Sequence, residues 1–249
     1  MLSGERSILV GKVEDVSMNE KVILLNSGGL DSLTSAGMLL TGCVGPVDLI
    51  GLNINYGQVV GPRERLAAEL WTEALQKKFG KERISLETME LRDYNQFVST
   101  NPVVRGQALG AEVDPKENFV PGRNIVFLLF AAIYGYKKGI RKFVLSAQES
   151  DHVSGDLSTA FQDSMANMLA IGMGTYGQKE PYKVWSPLLQ MGWTKGDAAK
   201  WLVKNEFPVE LSWSCYSIGS VHCGDCHNCR DRKEAFKEAG VDDPTEYVK

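Results

Sequence analysis

Six consecutive residues, Ser27-Gly28-Gly29-Leu30-Asp31-Ser32, carry the densest chemistry in this chain. They follow the apolar run Lys21-Val22-Ile23-Leu24-Leu25 and open onto Leu33-Thr34-Ser35-Ala36-Gly37-Met38-Leu39-Leu40, which reads as strand, glycine turn and helix start. Paired glycines let the main chain pass close to an anion with its N–H groups inward, the two serines add hydroxyl donors, and the helix dipole favours negative charge. The anion this implies is pyrophosphate. Neither G-x-x-x-x-G-K-[ST] nor G-x-G-x-x-G is present, so the turn is not a Walker loop or a dinucleotide fingerprint. A bland glycine link between strand and helix is the alternative, and it leaves both serines and the aspartate as coincidences.

A second constellation lies near the other end. Cys215, Cys223, Cys226 and Cys229 form C-x7-C-x2-C-x2-C, and each x2 spacing lets two thiolates turn back onto one ion. Tetrahedral zinc is expected, structural rather than catalytic because four sulfurs leave no open position. An iron–sulfur cluster also takes four thiolates, whereas a redox dithiol needs fewer. His222 and His227 flank the cysteines and are expected beside the sulfurs or in solvent. Cys43, the fifth cysteine, has no partner nearby in sequence and reads as a small buried apolar residue. Cysteines clustered in this way suggest a metal site in a reducing compartment, hence a cytoplasmic location.

Between these, Phe119-Val120-Pro121-Gly122-Arg123-Asn124 precedes a strongly apolar helix. Arg123 falls at the helix start, where a planar guanidinium can clamp phosphate oxygens and stabilise charge as pyrophosphate leaves. Read alone, the segment fits equally well as a surface turn with a solvated arginine. His152, after Glu149-Ser150-Asp151, is an acid–base candidate weighed against simple solvation.

The elements that must position these groups alternate in type. Residues 47–55 form a second β-branched run, ended by Tyr56-Gly57-Gln58. Residues 64–79 show a helical period at Leu66, Leu70, Ala74 and Leu75, and 84–89 suggest a short third strand. Residues 92–118 are irregular and read as a mobile substrate loop. A helix is expected over 125–139, a strand over 143–147 and a helix over 161–171. This order predicts a parallel sheet covered by helices on both faces, with ligands at the carboxyl ends of the strands. The expected organisation is an extension over 1–20, an ATP-binding α/β domain over 21–205 and a zinc-binding segment over 206–249. With 249 residues, one sizeable core is the natural size. The balance of 27 basic against 31 acidic residues, a net −4, gives no footprint for general nucleic-acid binding. No apolar run approaches ~18 residues, so no membrane span is expected, and the first seventeen residues lack the features of a signal peptide.

The glycine turn resembles the PP-loop of the ATP pyrophosphatases, which join a carboxylate or carbonyl oxygen to AMP and expel pyrophosphate. Asp31 suits a Mg²⁺ that neutralises the developing charge. With Asn55-Tyr56-Gly57-Gln58, the Phe119 to Asn124 segment and the Cys215-Tyr216 cysteine cluster in this order, the chain resembles the QueC family of 7-cyano-7-deazaguanine synthases over most of residues 21–235. That resemblance implies a Rossmann-like sheet of the adenine nucleotide alpha hydrolase type, a structural zinc, a homodimer, and ATP-dependent conversion of 7-carboxy-7-deazaguanine with ammonia to an amide and then a nitrile. It assigns catalysis to Ser27, Asp31, Ser32, Arg123 and Lys195. ATP contacts are expected from Leu25, Asn26, Ser27, Gly28, Gly29, Leu30, Asp31 and Ser32, from Asn55, Tyr56, Gly57 and Gln58, and from Arg123 and Asn124. Substrate contacts are expected from Glu149, Asp151, Ser154, Gly155 and Asp156.

The chain departs from the family pattern in a first cysteine spacing one residue shorter than usual, in a lysine expected soon after Ser186-Pro187-Leu188 that comes late, at Lys195, and above all in one segment. Where the family has Asp-x-Ser-Gly-Tyr-Pro-Asp-Cys, this chain has Asp151-His152-Val153-Ser154-Gly155-Asp156-Leu157-Ser158-Thr159. A carboxylate accepts two N–H bonds from a guanine-like edge far better than a serine does, and an unmet donor costs about 1–3 kcal/mol. Base recognition therefore requires Asp156 to take that role. Three readings follow: the nitrile-forming enzyme; a divergent QueC-like enzyme, for example of a phage-defence system, that passes an activated deazaguanine carboxylate to another amine such as a protein; and a nucleotide-binding module without turnover. The intact serines, Asp31 and Arg123 weigh against the third.

Overall fold

The computed structural model describes residues 19–43, 45–99, 101–105, 119–148 and 155–248. Its five strands are β1 (Glu20–Leu25), β2 (Val47–Asn55), β3 (Ile84–Glu90), β4 (Lys142–Val144) and β5 (Lys183–Trp185). They form one sheet in the order β3-β2-β1-β4-β5, and every neighbouring pair is parallel. This is the expected Rossmann-like α/β architecture.

The central strand explains the layers. Val22, Ile23 and Leu24 are fully buried. Val22 and Leu24 enter one core and Ile23 the other, the alternation of a strand covered on both faces. The first core receives Leu33 and Leu39 of α1 (Leu30–Leu40), Trp71 and Leu75 of α2 (Gly61–Phe79), Leu202 of α8 (Lys195–Lys204) and Phe236 of α9 (His227–Ala239). The second receives Leu128 and Ala132 of α5 (Arg123–Tyr136) and Met165 and Leu169 of α6 (Thr159–Gly172). Three shorter helices complete the set: α3 (Asn95–Val98), α4 (Pro102–Arg105) and α7 (Pro187–Met191). Phe207, Val209 and Phe236 share a core with Val22, so the segment from 206 onward is built onto the sheet domain.

Three readings of the sequence shift. In α2 the helical period is present, but its buried face is Ala67, Ala68, Trp71, Thr72 and Leu75, while Leu66 and Leu70 are exposed. Trp71 fills the core, and replacing it with alanine would cost roughly 3–5 kcal/mol. The strand expected over 143–147 pairs in the sheet only to Val144, because the chain beyond it leaves the ladder to reach the site. The loop expected over 92–118 contains a 3-10 turn at Arg92–Tyr94 and the short helices α3 and α4, whose Val98 and Val104 are buried with Tyr56 and Val120. Residues 106–118 and the extension over 1–18 lie outside the described residues. Among the described residues, no helix is long and apolar enough to cross a membrane.

From β1 the chain runs to β2 on one side and later to β4 on the other. The crevice above the carboxyl ends of β1 and β4 is therefore the place where this topology admits a ligand.

Candidate active site

The turn after β1 is fixed by asparagines and sterics. Asn26 accepts from the Gly28 N–H through Oδ1 at 2.8 Å, and Asn53 of β2 donates from Nδ2 to the Asn26 carbonyl at 2.8 Å. Gly28 has φ +75°, and a Cβ there would lie 2.2 Å from the Glu64 carbonyl oxygen, so only glycine lets α2 come this close. Gly29 enters α1 with no side-chain cap, and the first N–H groups of a helix have no acceptor within it. The Ser27 and Ser32 hydroxyls lie 3.0 Å apart beside them. Both serines line the cavity that opens over this helix start. Gln148, delivered by the chain that leaves β4, donates to the Asp31 carboxylate.

Two adjoining cavities meet at this turn. The larger, about 360 Å³, is lined by Leu25, Asn26, Ser27, Asp31 and Ser32 on one side and by Tyr56, Gln58, Arg123, Asn124 and Leu157 on the other. The smaller, about 160 Å³, runs from Ser27, Gly29, Leu30 and Asp31 to Lys195, Ser214, Asp231 and Arg232. Glu64, Tyr216 and Asn228 line both. The Asn26 Nδ2 and Ser146 Oγ atoms are buried at the larger cavity with no hydrogen-bond partner in the protein. Orphaned polar atoms at a cavity wall suit a polar ligand.

Arg123 opens α5 after Gly122, whose φ is +72°. Burial works against its charge, but Tyr56, Tyr216 and Glu64 outweigh that and hold its pKa above the ordinary value. The guanidinium is permanently positive beside the larger cavity. Next to it, Asn124 donates from Nδ2 to Asp156 Oδ2 at 2.8 Å. Burial raises the Asp156 carboxyl, partly offset by Arg123, its own backbone and Asn124. The carboxylate that the altered segment retains thus stands beside the arginine. Glu149, Asp151, His152 and Ser154 lie outside the described residues, and Gly155 is an exposed turn residue that meets nothing a Cβ would touch.

Asn55 and Gly57 shape the neighbouring turn and do not line either cavity. Asn55 Oδ1 accepts from the Gly57 N–H at 3.0 Å, its Nδ2 donates to Glu90, and Asn95 caps the Gly57 carbonyl at 3.1 Å. Gln58 does reach the cavity, accepting from the Tyr56 N–H at 2.9 Å and donating to Glu64 Oε2 at 2.7 Å. Lys195, at the start of α8, faces the smaller cavity with its ammonium 3.1 Å from Asp231 Oδ2.

The cysteine segment forms the facing wall. The four Sγ atoms lie within 4.8 Å of one another. A tetrahedral ion with metal–sulfur bonds of about 2.3 Å needs sulfurs about 3.8 Å apart, so the set fits a single ion. Backbone N–H groups of Ser217 and Cys223 donate to Cys215 Sγ, and that of Cys226 donates to Cys223 Sγ, which stabilises thiolate charge. Contacts among the sulfurs pull the Cys226 thiol well below its usual range and push Cys215 up to about 11. Trp213 ties this wall to the glycine turn through its N–H, which donates to the Gly28 carbonyl at 3.0 Å.

Buried polar contacts brace the wall from behind. The Arg232 guanidinium binds Ser212 Oγ at 2.8 Å, the Val209 carbonyl at 3.1 Å and Asp243 Oδ1 at 3.3 Å. Asp243 is lowered in pKa because Arg232, Tyr247 and Thr245 outweigh the cost of burial. His222 is pulled down to about 4 by burial and by Arg232, so it stays neutral and accepts from the Ser214 N–H through Nε2 at 3.1 Å. His227 instead pairs with Asp231 at 3.3 Å on the partly exposed side. Cys43 is exposed, contrary to its expected burial, because it follows the end of α1 and meets solvent there. Sequence reasoning missed Glu64, Tyr216, Asn228 and Arg232 as site residues; Tyr216 and Asn228 carried one signal, adjacency to Cys215 and Cys229.

Comparison with known proteins identifies relatives over most of the chain. The family described as "Queuosine biosynthesis protein QueC" matches residues 21–240. The chain is 31% identical over 236 residues to a 7-cyano-7-deazaguanine synthase of Thermoplasma volcanium, covering 93% of this chain and 92% of that protein. It is 32% identical over 241 residues to a 7-cyano-7-deazaguanine synthase of Methanobrevibacter smithii, covering 92% of this chain and 99% of that protein.

Proposed function

The chain belongs to the QueC family, and from that premise we propose that it is a 7-cyano-7-deazaguanine synthase, forming a nitrile from 7-carboxy-7-deazaguanine, ammonia and ATP. One observation carries the reading at this site. The hydroxyls of the glycine turn, Asp31 and the permanently charged Arg123 border the same cavity of about 360 Å³.

The substrate carboxylate attacks the α-phosphorus of ATP, and the bond to pyrophosphate breaks. Ser27, Ser32 and the first-turn N–H groups of α1 hold the leaving pyrophosphate, while Arg123 and Lys195 stabilise charge on the transferring phosphoryl group. Asp31 offers an oxygen ligand for Mg²⁺, which supplies further charge neutralisation when bound. Ammonia then displaces AMP to give the amide. A further ATP activates the amide oxygen, and loss of AMP with the remaining N–H protons leaves the nitrile. Asp156, set by Asn124, is the acceptor available for the N–H edge of the deazapurine.

The four cysteines hold zinc in this reading, and zinc supplies no chemistry beyond keeping the wall of Tyr216 and Asn228 in place. Pairing of two copies is supported by α5, whose outer face exposes Ile125, Leu129, Ile133 and Tyr136; light scattering tests it.

Mass spectrometry of products from purified protein, ATP, Mg²⁺, ammonium and 7-carboxy-7-deazaguanine tests the activity. A nitrile is expected. An adenylate or amide that goes no further would replace this reading with transfer to another amine, and absence of any adenylate would overturn it.

A further inference from the structure

The proposed reaction releases protons from nitrogen at every stage after adenylation, and so it needs an acceptor for them. When ammonia adds to the acyl adenylate, a C–N bond forms, the C–O bond to AMP breaks, and the nitrogen sheds a proton. When the amide becomes a nitrile, two further N–H protons leave as AMP departs.

We propose that Glu64 is the general base that takes these protons. The assignment rests on the functional reading above and on the geometry of the site. Five residues line both cavities: Ser27, Asp31, Glu64, Tyr216 and Asn228. Two of them are carboxylates. Asp31 already receives Gln148 and stands where the phosphates and their cation belong. Glu64 stands across the glycine turn, on the first turn of α2, with its own carbonyl against Gly28.

The Glu64 carboxylate is held in one orientation. The Tyr56 N–H donates to Gln58 Oε1 at 2.9 Å, which fixes the Gln58 amide so that its Nε2 donates to Glu64 Oε2 at 2.7 Å. No hydrogen bond engages Oε1 of Glu64 among those described. That orientation follows from backbone geometry at the end of β2, not from the substrate.

The charged neighbours set its proton affinity. On the larger cavity these are Arg123, Tyr56 and Tyr216; at the turn, Asp31. On the smaller cavity Lys195 faces Asp231, and Arg232 answers to Asp243. Arg123 is thus the cation nearest in effect. Burial raises the Glu64 carboxyl, and Gln58 and Arg123 only partly counter it. A carboxylate lifted toward neutrality takes a proton from nitrogen better than an ordinary one, and general-base catalysis contributes about 10²–10⁴-fold.

The test separates adenylation from proton removal. Wild type and Glu64→Gln, both full-length and metal-loaded, are compared in three assays: pyrophosphate release with 7-carboxy-7-deazaguanine, hydroxamate formation with hydroxylamine in place of ammonia, and nitrile formation from the carboxamide with ATP. Hydroxylamine is largely unprotonated at neutral pH, and its adduct loses a proton readily to water. Glu64→Gln is expected to slow nitrile formation by about 10²–10⁴-fold, while pyrophosphate release and hydroxamate fall only a few-fold. The acid limb of the wild-type rate from carboxamide should disappear in the variant. Equal loss in all three assays would overturn the assignment, making Glu64 a support for the nucleotide cavity, and so would unchanged nitrile formation. Should Glu64→Gln fail to fold, Glu64→Asp decides by the same ratio of rates, since it keeps the carboxylate but withdraws it. A wild type that makes no adenylate would overturn the functional reading itself, and the base with it.

Discussion

The two walls of the site are held by different physics. On one side the glycine turn is held by the sheet: Asn26, Asn53 and a glycine at φ +75° fix the main chain by hydrogen bonds and by the lack of room for a Cβ. On the other, residues 213–232 contribute no strand to the sheet, and they are held by four converging sulfurs, a buried arginine, a main-chain bond to Gly28 and the docking of α9 on the core through Phe236. The first wall is rigid by construction. The second depends on charge pairing and, in the proposed reading, on the metal its four sulfurs would hold, yet it brings Tyr216, Asn228 and Lys195's partner Asp231 to the same cavities.

That contrast is open to attack, and the largest effect falls on the conditional wall. Cys226→Ser should lose the metal, measured by elemental analysis. Since metal binding to a four-sulfur site supplies on the order of 10 kcal/mol, the C-terminal segment should lose its near-ultraviolet dichroism while far-ultraviolet signal from the sheet persists. Soluble, metal-loaded but inactive protein would mean that the cluster acts in chemistry instead. Asp31→Ala attacks the other wall without moving it. Pyrophosphate release should drop by about 10³-fold, roughly 4 kcal/mol of barrier, with melting temperature and metal content unchanged; an active variant would remove Asp31 from the reaction.

Asp243→Asn strips the partner from buried Arg232 and should destabilise by about 3 kcal/mol, read from chemical denaturation. The sign of its pH dependence follows from the lowered carboxyl. Its stabilisation is complete above the ordinary aspartate pKa of about 3.9 and is lost as pH falls through the depressed folded value, a loss that the asparagine variant should not show. The smallest effect is Gly28→Ala, about 2 kcal/mol from the left-handed backbone and the pressure on the Glu64 carbonyl. Because that carbonyl sits on the residue assigned as base, nitrile formation should suffer more than pyrophosphate release. Equal loss of both would show that the turn and α2 do not move as a unit.

How much of this was legible follows the same division. The rigid wall is contiguous in sequence, so Ser27 to Ser32 between an aliphatic run and a helix start declared the element order and marked a turn that lines the larger cavity. The apolar period of α2 was also visible, but the stripe through Leu66 and Leu70 pointed to the wrong face, since a single tryptophan at 71 outweighs two leucines in choosing which side is buried. β5 is three residues long and gave no pattern. The start of α8 carries a readable signal, the capping box of Thr194 and Asp197. Of the conditional wall only the cysteines and, by adjacency to them, Tyr216 and Asn228 were legible, because Arg232 reaches the cavity through tertiary docking and not through any spacing. Glu64 looked like one more charge on a helix until Gly28 brought its backbone to the turn.

The bond from the Trp213 N–H to the Gly28 carbonyl joins residues far apart in sequence. During synthesis the glycine turn is made well before the wall that packs over it. Closing so long a loop is slow and is rewarded only once both ends exist. A chain that stops before Trp213 lacks this bond, so the glycine turn is closed over only once the later segment has docked.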